Sequence, residues 1–295
     1  MPAPAAVADL VERSLYNGFL AGVGASGDKF FYVNPLASQG NHHRQPWHGC
    51  ACCLTNVVRF LPALGQYVYA STDNAVYVSL YAAGNGAVSL GGRAVRISQE
   101  TRYPWDGAVK LVVSPTEPQE FTLALRIPGW CREESTPGGL YRSSGPSAKP
   151  TLKVNGEAFD PGAPEAGFAR IRRLWKLGDV VELELPMPVR RVYANPRVRA
   201  NAGRVALQRG PIVYCVEGVD HGGRVADLVL PPEAPLAAEH RPDLLGGLTV
   251  ITGKAQRLRE GGATEPLALT AIPYYAWDNR GAGEMAVWLL EPTIP

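Results

Sequence analysis

Hydrophobic residues change their spacing once along this chain. Between residues 5 and 21, Val7, Leu10, Val11, Leu15 and Phe19 recur every three or four positions. That spacing predicts one face of a helix, closed by Gly22 and Gly24. Residues 29–35 read as a short extended segment and residues 38–49 as a polar loop. A second helix is predicted from about residue 53 to 64. Its inward side would be Val57, Phe60, Leu61 and Leu64, with Pro62 bending or ending it.

From Tyr67 the period becomes two. Val76, Val78 and Leu80 alternate with Tyr77, Ser79 and Tyr81; Phe121, Leu123, Leu125 and Ile127 alternate with Thr122, Ala124 and Arg126. Val181, Leu183 and Leu185 alternate with Glu182 and Glu184, which form a solvated face. Such alternation predicts strands with one buried face. Asn155-Gly156 is a hairpin turn signal and Gly178-Asp179 another turn. Residues 132–149, rich in Ser, Gly and Pro, are expected to be an exposed loop. A second all-β block follows Pro186-Met187-Pro188, through Val205–Leu207, Ile212–Tyr214 and Met285–Leu290.

Many short, regularly spaced strands predict β-sandwiches. The expected fold is mainly β: two β-sandwich domains, residues 67–188 and 189–295, behind a helical segment, residues 1–66. Two helices cannot bury their apolar faces alone, so the helical segment is expected to be the tail end of a larger helical domain.

Composition narrows the function. Hydrophobic residues make up 46% and charged residues 19% of 295 residues, the profile of a globular protein. A net charge of +2 gives no electrostatic case for nucleic acid or an anionic membrane. No apolar run approaches the ~18 residues of a membrane span. The first residues lack the basic and apolar regions of a signal peptide, so the expected location is cytoplasmic.

Three of the five cysteines fall within four positions, in Trp47-His48-Gly49-Cys50-Ala51-Cys52-Cys53. Thiols so close make poor partners for a structural disulfide, which favours reduced sulfur. Adjacent cysteines at a helix start are either metal ligands or packed thiols. The residues alone leave both open. Cys50 reads as a packing thiol, and Cys131 and Cys215 as core residues.

At this point a family resemblance enters. It is carried by Asp9-Leu10-Val11-Glu12-Arg13-Ser14-Leu15-Tyr16-Asn17, by Phe30-Phe31-Tyr32-Val33-Asn34-Pro35-Leu36, and by Cys50-Ala51-Cys52-Cys53-Leu54-Thr55-Asn56 with Arg59. Residues 100–107, 125–131, 154–157 and 208–214 continue it. The sequence resembles the β-L-arabinofuranosidase family, glycoside hydrolase family 127. Where that family usually has proline, this chain has Leu54.

The resemblance implies an (α/α)6 catalytic barrel, of which residues 1–66 would be a C-terminal remnant, followed by the two sandwiches. It implies retaining hydrolysis of a terminal β-linked L-arabinofuranoside by a zinc-held cysteine thiolate. Cys52 matches the nucleophile, and Cys52 and Cys53 match two zinc ligands. A glutamate ligand, a further cysteine ligand and the acid/base glutamate precede Met1 in the family's order. The chain alone is therefore expected to be inactive. The expected partner is a carbohydrate ending in L-arabinofuranose or a related sugar. Tyr32 matches a tyrosine near the sugar, and His42, His43 and Trp47 are candidate sugar contacts. The loop histidines, His48 included, are read as solvated or sugar-facing in preference to zinc ligands. The alternative expectation is a non-catalytic module whose sandwiches bind carbohydrate or mediate homo-oligomerisation.

Overall fold

The computed structural model describes residues 4–132, 139–146 and 148–292. Within them the protein is mainly β, with two α-helices and three sheets. No described helix is long and apolar enough to cross a membrane. The chain divides into two compact units: residues 1–12, 58–134 and 147–187 form one, and residues 13–57, 135–146 and 188–295 the other.

The first unit holds a six-stranded and a four-stranded sheet. In the six-stranded sheet Arg93–Thr101, Ala108–Pro115 and Asp179–Glu184 are neighbours, with the Thr151–Val154 hairpin beyond. Val181 and Leu183 are buried while Glu182 and Glu184 are exposed, as the alternation predicts. Asn155 and Gly156 take φ of 53° and 83°, the left-handed pair of a tight hairpin. The four-stranded sheet departs from one-faced alternation. Ala75–Val78 is buried at every position, and Gln119–Arg126 from Phe121 onward. Phe121, stacked on Trp175, lies on one face. Ala75, Tyr77, Ala124 and Phe168 pack with Ala5 on the other.

Ala5 belongs to helix α1, Ala5–Ser14, whose orientation corrects the expectation. Val7 and Leu10 are about half exposed, whereas Glu12 is buried. Polar chemistry turns the helix. Glu12 accepts hydrogen bonds from Arg126, from Tyr103 Oη at 2.5 Å and from Trp130 Nε1 at 3.2 Å. Arg126 also reaches Asp9 at 2.6 Å. Burial works against the Arg126 charge, but Glu12 outweighs it and holds the guanidinium well above its ordinary range. Much of the family-like sequence, from Asp9 and Glu12 to Tyr103, Arg126 and Trp130, is thus one buried ion cluster.

The second unit is an eleven-stranded sheet that folds over on itself, because the hairpin of Arg204–Arg209 and Ile212–Glu217 closes its strand path. Val205, Leu207, Tyr214, Val216, Ile251 and Leu269 fill its inside. The opposite side of the same strands, with Cys215, Ile272, Tyr274, Trp277 and Met285, is covered by Ala21 and Phe31. The loop expected at residues 132–149 is partly strand: Tyr141–Ser144 pairs with Val189–Ala194. Residues 133–138 and 147 lie outside the described residues. A strand of Tyr-Arg-Ser-Ser lacks apolar alternation, so only pairing reveals it.

Candidate active site at the cysteine cluster

Helix α2, Cys52–Ala63, starts on the cysteine pair. Leu54 is its one buried residue, and Val58 and Leu61 are 72% and 57% exposed. Of the inward face expected for this helix, Val57, Phe60 and Leu64 are half-buried, with Phe60 against the Tyr67 ring, and Leu61 is exposed. Leu54 sits in the first turn, where proline and leucine are both accommodated, so the family departure leaves the helix start intact. Pro62 falls inside the last turn and ends the α-helix one residue later.

Cys50 and Cys52 are exposed and Cys53 half-buried. The Sγ atoms of Cys52 and Cys53 are 3.8 Å apart, and those of Cys50 and Cys52 3.2 Å. Two sulfurs bound at ~2.3 Å to one tetrahedral zinc are about 3.8 Å apart. The Cys52–Cys53 pair fits that spacing and the Cys50–Cys52 pair is too close. Among the described residues, no group of three or more His, Cys, Asp or Glu is arranged to hold a metal ion. The described residues supply two donors at that spacing.

Tyr32 is brought to the cluster, its Oη 3.9 Å from Cys52 Sγ. The hydrogen bond to Cys52, joined by the charges of Cys52, Cys50 and Cys53, raises the Tyr32 phenol above its usual range. Tyr32 therefore keeps its hydroxyl proton beside the sulfur. Its ring tilts against His48, whose Nε2 contacts Phe30 O at 3.1 Å.

The other predicted residues are placed differently. His43 has both ring nitrogens engaged, Nδ1 with Asp278 at 2.8 Å and Nε2 with Gly40 O at 3.0 Å. His42 stacks on Phe31 and Trp277, its Nε2 on Val33 O at 2.9 Å. Trp47 is 64% exposed. Cys215 is a core residue as read, and Cys131 closes the short helical turn Gly129–Cys131.

Sequence reasoning missed what anchors this loop. Arg44 is buried, lies 4.1 Å over the Phe31 ring, and donates to Trp277 O, to Ala21 O at 2.8 Å and to Tyr275 O at 3.4 Å. Burial lowers its guanidinium to about 10. Asp278 accepts from Arg44 N at 2.8 Å, and its own N–H donates to Glu217 at 2.9 Å. Arg280 completes the set against Glu217 and Asp220. An arginine inside a polar loop gives no signal of burial; only its distant carbonyls do.

Three models of one family match in succession. The Beta-L-arabinofuranosidase, GH127 catalytic domain matches residues 2–66, the GH127 middle domain residues 75–187, and the Glycoside hydrolase family 127 C-terminal domain residues 189–290. The chain belongs to glycoside hydrolase family 127.

A family relative, the Non-reducing end beta-L-arabinofuranosidase of Bifidobacterium longum subsp. longum, is 36% identical over 316 aligned positions. The match covers 95% of this chain and 45% of the relative. A crystal structure of a GH127 beta-L-arabinofuranosidase from Geobacillus stearothermophilus is 45% identical with a TM-score of 0.88. It covers 98% of this chain and 47% of that one. A GH127 Beta-arabinofuranosidase structure is 43% identical with a TM-score of 0.93, covering 98% and 46%. The chain spans about half the length of these family 127 relatives.

Proposed function

We propose that this chain carries the nucleophile and half of the zinc site of a retaining β-L-arabinofuranosidase. The 3.8 Å spacing of the Cys52 and Cys53 sulfurs carries the reading. Zinc, when bound, keeps its thiol ligands deprotonated, which makes sulfur a nucleophile at neutral pH. Cys52 would then attack the anomeric carbon and hold the sugar until water displaces it. The exposed Cys52 sulfur is open to a substrate, and the Tyr32 hydroxyl lies 3.9 Å from it. The substrate would end in L-arabinofuranose, as the names of the relatives suggest.

Two parts of that chemistry lie outside the site. A structural zinc site holds four ligands, and two are offered. A general acid must protonate the leaving oxygen, and among the described residues no carboxylate makes a hydrogen bond to the cluster. The purified chain should therefore release no arabinose from an aryl β-L-arabinofuranoside; robust release would overturn this part. Cobalt in place of zinc tests the ligands separately. Its thiolate charge-transfer band should weaken in Cys53→Ser and vanish when Cys52 and Cys53 are both changed.

One observation favours a second reading, carbohydrate binding without catalysis. A groove of about 1090 Å³ is lined by Gln39, Asn41, Asn201, Arg204, Glu284 and Trp288. Carboxamides beside an indole suit sugar hydroxyls and a sugar face. Glycan binding that survives loss of both Cys52 and Cys53, and is lost in Trp288→Ala, would favour it.

A further inference from the structure

Cys50 is left over by the zinc reading. It stands outside the helix, two positions before Cys52, and its sulfur is the nearer of the two cysteine sulfurs beside Cys52 Sγ, 3.2 Å against 3.8 Å. Both Cys50 and Cys52 are exposed, so a small oxidant can reach them.

We propose that Cys50 and Cys52 are a modification site: they form a reversible disulfide that masks the Cys52 sulfur. Backbone conformation selects this pair. Cys52 and Cys53 are both in the first turn of α2, and adjacent cysteines can bridge only through a small ring that distorts the intervening peptide. Residues 49–51 are not helical, so Cys50 can turn its sulfur the short remaining distance without unwinding α2. The ring through Ala51 is small and the bond exposed, features of labile disulfides that small thiols readily reduce.

The oxidant class is a low-molecular-weight disulfide. The Cys52 thiolate attacks one sulfur of that disulfide and expels one small thiolate, leaving a mixed disulfide on Cys52. The Cys50 thiol then attacks Cys52 Sγ and expels the second. One protein S–S bond forms and one small-molecule S–S bond breaks. Two electrons pass to the small disulfide, and the two thiol protons end on the two released thiols. The bridge itself is independent of the catalytic reading. That it switches off a nucleophile and removes a zinc ligand rests on that reading.

Sequence makes the test direct. Trypsin cuts after Arg44 and Arg59, so one peptide holds Cys50, Cys52 and Cys53 and neither of the other cysteines. The purified chain would be equilibrated with oxidised glutathione, blocked with N-ethylmaleimide and digested. The expected peptide is two hydrogens lighter and carries one maleimide. Cys53→Ser should keep the bridge with no maleimide, and Cys50→Ser should lose it and carry two. Dithiothreitol should restore three maleimides in the wild type. Three maleimides on the oxidised wild type, a stable glutathione adduct, or a bridge persisting in Cys50→Ser would each overturn the proposal. Saturating zinc added first should slow bridging. If bridging is equally fast, the disulfide stands and the zinc reading of Cys52 fails.

Discussion

Tyr32 and Cys52 are coupled through one contact, and the coupling can be read from the tyrosine. The hydrogen bond between the phenol and the Cys52 sulfur favours the neutral phenol, and negative charge on the three cysteines disfavours tyrosinate. Both effects raise the phenol, so removing sulfur must lower it. Cys52→Ala should bring Tyr32 down toward the ordinary value of about 10. Ultraviolet titration of the protein minus that of its Tyr32→Phe variant isolates this one ring. An unchanged or higher midpoint in Cys52→Ala would show that the contact is not made in solution. At the same scale, Asp278 and Gly40 O occupy both ring nitrogens of His43.

Helix α1 and the loop at residues 38–49 are each held by one buried ion. In α1, Glu12 neutralises Arg126 inside the first unit. Glu12→Ala leaves that buried guanidinium with the part-exposed Asp9 as its counter-charge, and breaking a buried pair from one side costs about 3–5 kcal/mol. Urea unfolding should show a loss of that size, and Glu12→Ala with Arg126→Met should lose less than the two single changes summed. The loop hangs on Arg44. Arg44→Ala takes the arginine donor from Ala21 O, at about 1–3 kcal/mol, and leaves Trp277 O with Asn279 Nδ2 as its donor. Limited proteolysis should then cut first within residues 38–49, near the cysteines; an unchanged cleavage pattern would argue that Arg44 does not fasten the loop.

At the scale of the whole molecule, acid should weaken the second unit through His221. This ring is buried, with Nδ1 on Glu217 O at 2.7 Å and Nε2 accepting from Thr270 N at 3.3 Å. Those partners suit the neutral ring protonated at Nδ1, and burial holds the imidazole below its usual range. The sign follows. The unfolded chain takes up the proton near pH ~6.5, and the folded one only at lower pH. Stability is complete above about pH 6.5 and is lost as pH falls toward the folded value. Urea midpoints measured above and below that pH should differ, and His221→Gln should shrink the difference. A variant with the same pH dependence as the wild type would assign the effect elsewhere.

The sequence by itself determined the periods of the strands, the Asn155-Gly156 turn, the start of α2 on a cysteine pair and the family. Each is local: alternation, φ preference and motif spacing are written in neighbouring residues. Tertiary structure decided the rest. A helix shows which residues form a stripe but not which stripe faces inward, and Glu12, an unlikely inward residue by its charge, turns inward because Arg126 waits there from far along the chain. Tyr141–Ser144 is a strand only because Val189–Ala194 offers it hydrogen bonds. The segment bearing Tyr32 and the cysteines is seated by Arg44 on carbonyls more than two hundred positions away. Long-range polar contacts of this kind leave no period in a sequence, and they are what set the cysteines where sulfur chemistry could be done.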